Sequence, residues 1–244
     1  MVASAGIACP VAGATGTTVT TASFTPAVGS LLLAFACCRN VGNMPTISDS
    51  LGGTWAEVTP GVSMTAVKAK LWAHVVTEAT ARTVTAVSTA AAQIALGIVA
   101  VSGGNNTDFS NFVSNTNAAG DPTVTLAATA AGSVGLGFMT GNAGATGSTI
   151  SAGYSEMYDA LPATNLRMSL VKDEGSPGAT LAWVSASTDS IGFGLEIKES
   201  GAAAPTGRMK VWTGSAWAQK PVKVWTGSAW VEKPVKAWNG SAWV

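Results

Sequence analysis

The chain has 244 residues, a formal net charge of zero and only 11% charged residues, against about 25% in an average soluble domain. That length suits one good-sized β domain or two smaller ones. The balance excludes a chain-wide basic surface for nucleic acid, and the scarcity of charge among abundant Gly, Ala, Ser and Thr fits a subunit largely covered by neighbours.

At the N-terminus, MVASAGIACPVAG has neither a positive n-region nor a long apolar core, so no signal peptide is expected. The longest apolar run, Leu31 to Cys38, is too short to span a bilayer and reads as a buried strand. Strands are predicted at Thr17–Phe24, Ser30–Cys38, Thr54–Thr59, Met64–Val76, Arg82–Val87, Ala92–Val101, Pro122–Ala128, Ser133–Thr140, Thr149–Tyr154, Leu166–Lys172, Ala179–Ala186 and Ile191–Lys198. In Arg82-Thr-Val-Thr-Ala-Val87 polar and apolar positions alternate as a half-buried strand requires. Clusters such as Gly103-Gly104-Asn105-Asn106 and Gly141-Asn142-Ala143-Gly144 supply turns between them. The Ala-rich stretch Ala79–Ala95 has room for a helical turn, although Thr83, Val84 and Thr85 oppose a long helix. About a dozen short strands at this spacing predict an all-β, jelly-roll-like antiparallel β-sandwich over 1–199; the same periodicity also permits two smaller sandwiches.

The residues offer little to a catalyst. His74, the one histidine, shares a strand face with Lys70 and Trp72 and has no carboxylate at ligand spacing, so a structural role is preferred to that of base or ligand. Cys9, Cys37 and Cys38 cannot make a disulfide framework, and Cys37-Cys38 is not a CxxC; all three read as small buried hydrophobes. Asp49 and Asp173-Glu174 sit in turns without the DxDxDG spacing of a calcium loop. Gly132, Gly135 and Gly137 precede no helix and mark close packing or a bulge inside a strand. No enzyme, catalytic residue, metal site or cofactor is expected.

Beyond the small-residue linker at 200–207 the composition changes. MKVWTGSAWAQKP, VKVWTGSAWVEKP and VKAWNGSAWV fill 209–244 with a 13-residue period that holds six of the nine tryptophans. Residues 1–205 carry 7 Lys/Arg and 12 Asp/Glu, whereas 206–244 carry 6 basic residues and one acid, Glu232. A basic, aromatic appendage thus follows an acidic body. Each repeat reads as a β-hairpin within a module at 208–244, turning at Thr213-Gly214 in the first copy and Asn239-Gly240 in the last. That register sets Trp212 opposite Ser215 and Lys210 opposite Trp217, with the two tryptophans as diagonal neighbours. Candidate contact residues are Lys210, Trp212, Trp217, Lys223, Trp225, Trp230, Lys236, Trp238 and Trp243. Packing between repeats or subunits is preferred, with sugar stacking second and single-stranded nucleic acid last.

The run KVWTGSAWVEKPVKAWNGSAWV is similar to the short Trp-rich C-terminal repeats of minor tail proteins from siphophages of actinobacteria. Gly29-Ser-Leu-Leu-Leu-Ala-Phe, Arg39-Asn and Ser48-Asp-Ser-Leu-Gly-Gly-Thr-Trp55 resemble the β-sandwich that precedes such repeats. The repeats cover about a sixth of the chain and the looser upstream likeness about half of the body. The resemblance implies a non-enzymatic virion structural protein, assembled in the host cytoplasm, homo-oligomeric with a trimer preferred, and touching other tail or capsid subunits. A host-facing tail subunit contacting cell-surface glycan is the leading expectation. Capsid decoration is the alternative, followed by a free carbohydrate-binding module. Neither a nucleic-acid nor a membrane partner is expected.

Overall fold

The computed structural model describes residues 3–39, 43–104, 109, 111–126, 130, 132–142, 149–173, 180–184, 188–199, 208–212, 214, 217–221 and 223–232. The chain divides into two compact units, Met1–Ser200 and Gly201–Val244. The 200–207 linker and the third repeat, with Lys236, Trp238 and Trp243, lie outside the described residues. The first unit is all-β, without a helix among its described residues, so Ala79–Ala95 forms no helical turn.

The first half of that unit runs through β1 (Ser4–Ile7), β2 (Ala12–Thr15), β3 (Thr18–Thr20), β4 (Leu31–Arg39), β5 (Thr46–Asp49), β6 (Ala56–Glu57), β7 (Val62–Ser63), β8 (Val67–Val75), β9 (Val84–Val87) and β10 (Gln93–Ser102). One sheet has the order β1-β10-β4-β8-β6, with β2 also on β10 and β7 on β8; β3-β9-β5 form a second. The chain crosses from one sheet to the other and back, as in a jelly roll.

The second half repeats this plan with β11 (Phe112–Asn117), β12 (Thr123–Thr125), β13 (Val134–Asn142), β14 (Thr149–Ile150), β15 (Tyr154–Ala163), β16 (Leu166–Asp173), β17 (Thr180–Val184) and β18 (Thr188–Ile197). Its sheets are β11-β18-β13-β16-β15 and β12-β17-β14. Strand for strand, β11, β13, β16 and β18 occupy the places of β1, β4, β8 and β10, and β12, β14 and β17 those of β3, β5 and β9. The body therefore holds two antiparallel β-sandwich halves in tandem, of ten and eight strands, within one compact unit.

The two large sheets pack face to face. Leu31, Leu33, Phe35 and Cys37 of β4 and Val67, Ala69 and Leu71 of β8 meet Leu136 and Phe138 of β13, Leu166, Met168 and Leu170 of β16, and Phe193 and Leu195 of β18. Equivalent positions touch one another across this interface. The rings of Phe35 and Phe138 lie 5.6 Å apart, the Cys37 thiol meets the Thr140 hydroxyl, and Arg39 Nε donates to Asn142 Oδ1 at 2.6 Å. A residue meeting its own counterpart is the signature of an isologous, twofold contact, here enclosed in one chain.

On its other face β4 presents Leu32, Ala34, Ala36 and Cys38 to Val19, Val84 and Ala86 of the small sheet. Burial on both faces explains why Leu31–Cys38 is an unbroken apolar run rather than an alternating one. The second half fills its corresponding space with the opposite size order. Leu96 and Ile98 of β10 face a small sheet carrying Ala86; at the equivalent places β18 has Gly192 and Gly194, and β17 carries Leu181 and Trp183. A Cβ at Gly137 would run into Leu181 and Trp183, and one at Gly192 into Pro122. Small residues on one sheet make room for large ones on the other, which keeps the packing dense.

All twelve predicted strands contain or overlap an observed one, and β1, β2, β5, β7, β11 and most of β15 come in addition. Every added strand lies at a sheet edge. Edge strands are short, bulged or interrupted, which weakens their sequence pattern: β15 has two register shifts and carries Pro162.

Candidate functional site

The second unit's described residues form two antiparallel hairpins, β19 (Arg208–Trp212) with β20 (Trp217–Pro221), and β21 (Lys223–Trp225) with β22 (Trp230–Glu232). Trp212 stands directly opposite Trp217, and Trp225 opposite Trp230. The turn is therefore centred one residue later than the sequence reading placed it, and Lys210 faces Gln219 instead of Trp217. The cause is turn chemistry. A Thr-Gly turn would require positive φ at a β-branched threonine, which is costly. Centring on Gly227-Ser228 needs it first at glycine, and Gly227 has φ 95°. Gly214 has φ 96° in the first copy.

At the second hairpin's tip Thr226 and Ala229 hydrogen-bond to each other. The Thr226 N–H donates to the Ala229 carbonyl at 2.9 Å, the Thr226 hydroxyl donates to that same oxygen at 3.0 Å, and the Ala229 N–H reaches the hydroxyl oxygen at 3.3 Å. Just behind the tip the rings of Trp225 and Trp230 pack with centroids 5.7 Å apart, inclined by 53°. Strand alternation puts Lys223 on the tryptophan face and Val224 and Val231 on the reverse. Both faces are open: Trp225 is 51% exposed, Trp230 65%, Val224 48% and Val231 41%. Trp212 of the first hairpin is 53% exposed.

A second constellation, which the sequence did not reveal, lies at one end of the first sandwich. Arg82, just before β9, directs Nη1 to Asp49 Oδ2 at 3.1 Å and to His74 Nε2 at 3.0 Å. His74 Nδ1 lies 2.8 Å from the Thr54 carbonyl oxygen. The carbonyl can only accept, so Nδ1 donates to it, and the guanidinium can only donate, so Nε2 receives from it. Trp55 stacks on the imidazole with centroids 5.2 Å apart. Both ring nitrogens of His74 are thus engaged within the fold. Its role is to fasten the Ser50–Trp55 loop, over an ion pair whose side chains are almost wholly buried. The second sandwich has its own buried pair: Arg167 Nη2 lies 2.8 and 2.7 Å from the two Asp159 carboxylate oxygens.

The three cysteines are free and buried. Burial pushes the Cys37 thiol up to about 12 and the Cys9 thiol up to about 11, while Cys38 is raised for the same reason. They stay protonated at neutral pH, which is the opposite of an activated nucleophile. Among the described residues no three His, Cys, Asp or Glu side chains gather as a metal site would require. The arrangement presents exposed aromatic and aliphatic surface on a basic module. Compared with protein-family models, curated proteins and solved structures, the chain has no match to any of them.

Proposed function

We propose that this chain is a non-enzymatic virion structural protein of a bacteriophage, a minor tail subunit whose tandem sandwich seats it on the particle. Its Trp hairpins make contacts outside their own chain, with neighbouring copies or with a host surface. The observation that carries this reading is the open Trp225–Trp230 pair on a hairpin with Val224 and Val231 uncovered behind it. A two-stranded hairpin with both faces wet is marginal in water. Three near-identical copies in tandem therefore imply a partner that supplies the missing cover. The low charge of the whole chain agrees with a subunit that buries much of itself in an assembly.

Band intensity against the major capsid protein in purified particles tests the assignment. A few copies per particle is the expected result. Tens to hundreds of copies would instead favour capsid decoration, the second reading, in which the hairpins clamp the shell lattice. Absence from particles would overturn both.

A further inference from the structure

The hairpin module segregates its chemistry along its length. In the described copy the tip, Trp225-Thr-Gly-Ser-Ala-Trp230, holds no charge, while Lys223 and Glu232 occupy opposite register positions at the open end and Lys233 follows in the sequence. Two residues of extended strand put the Lys223 position about 7 Å behind the tryptophans. The same order is written into all three repeats, with Lys210, Lys223 and Lys236 each two residues before a tryptophan. At the tip the Thr226 N–H and hydroxyl and the Ala229 carbonyl and N–H bond to one another. Leaving water therefore costs that tip less than it would cost an open loop.

From this we infer that the hairpin tips dock on an anionic lipid bilayer, with tryptophans at the headgroup level and lysines on the lipid phosphates. The inference deepens the reading of the module as an outward contact surface and rests on it. It departs from the expectation of no membrane partner, which followed from the absence of a spanning segment; a tip that enters only the interface needs none. Tryptophan sits favourably at that depth, and interfacial segments bury their apolar side chains about 5–10 Å deep.

Three observations select a bilayer over other partners. First, residues 206–244 carry six basic side chains against one acid, so the module is attracted to an anionic surface and repelled by its own copies. Second, both hairpin faces expose large apolar side chains, Trp225 and Trp230 on one and Val224 and Val231 on the other; a sugar or a neighbouring hairpin covers one face, whereas an interface surrounds an inserted tip. Third, Val224 and Val231 offer aliphatic surface that stacks on no pyranose but partitions into lipid.

The test is flotation of the full chain with vesicles of phosphatidylcholine, alone or with a quarter phosphatidylglycerol. The chain should float with the anionic vesicles only, and about 0.5 M salt should release it as the charges are screened. W225A/W230A should lower the bound fraction about tenfold, the loss expected when two interfacial anchors go. Brominated lipid should quench the tryptophan emission of the unaltered chain, a readout independent of any variant. Three results would overturn the proposal: no flotation with anionic vesicles, flotation unchanged by W225A/W230A, or an oligomeric chain whose emission ignores vesicles. The last would make a second copy the occupant. A chain that floats but is missing from particles would sink the virion assignment alone, and a particle component that does not float would sink only this inference.

Discussion

The two units use the same residue in opposite ways. In the body, Trp72 is 5% exposed and Trp183 2%, and the Trp183 indole N–H donates to Ser169 Oγ at 3.0 Å. Room for that ring exists because Gly137 and Gly192 have no side chains to contest it. In the module, Trp212, Trp225 and Trp230 are more than half exposed, and the hairpin ladder supplies the Trp225–Trp230 pair with no pocket. A tryptophan in a prepared, hydrogen-bonded site is part of a fold; one on a two-stranded ribbon keeps half or more of its surface in water. The contrast separates what holds the chain together from what it presents.

The comparison breaks most readily at the seam of the tandem sandwich. Phe35→Ala and Phe138→Ala should each cost the body about 3–5 kcal/mol, as buried aromatic truncations do. Because the rings touch, the double variant should cost less than the two losses added. Urea denaturation followed by far-UV circular dichroism measures both; losses under about 1 kcal/mol would mean that the halves are not held through this contact. Gly137→Ala should destabilise by about 1–3 kcal/mol through overpacking against Leu181 and Trp183. A neutral result in the same assay would contradict the account of how Trp183 is housed.

Alkali separates the units by another route. Unfolded thiols ionise near 9.0, whereas burial keeps those of Cys9 and Cys37 neutral to about 11 and 12. The folded body therefore binds more protons above that pH. Its thiol-linked stability is fully present below about pH 9 and falls as pH rises toward 11–12. The urea midpoint of the body should drop across that window, and a native-state thiol reagent at pH 8 should react only as fast as the body opens. The smallest effect belongs to the module: W225A/W230A should leave the body's unfolding free energy in urea unchanged to within about 0.5 kcal/mol. A larger shift would show that these side chains belong to the fold after all.

Strands buried on both faces were the most legible, since Leu31–Cys38 announces itself as an apolar run. Edge strands such as β11, with Phe-Val-Ser-Asn-Thr-Asn, carry no comparable pattern. The tandem plan left faint marks: Thr-Val-Thr at 18–20 and 123–125, Gly-Ser with a phenylalanine six residues after the glycine at 29–35 and 132–138, and Thr-Ile-Ser at 46–48 and 149–151. The last two share one offset, and they mark equivalent strands and turns. Gly29 and Gly132 even share a φ of 80°. Elsewhere the halves diverge because one fills its inner space from the large sheet and the other from the small one, which removes the shared apolar pattern. Asp49, His74 and Arg82 could not be joined from the sequence, because they lie on β5, on β8 and just before β9, in two different sheets. The hairpins were legible from their period, but their register depended on which residue bears the positive φ.

Cryo-EM of the purified phage particle tests the central claim most directly. The account predicts density for the tandem sandwich seated on the tail, with the Trp hairpins of each copy on the outward side and in contact beyond their own chain. A particle whose maps and protein inventory lack this chain, or a chain whose hairpins are folded away inside its own body, would contradict it.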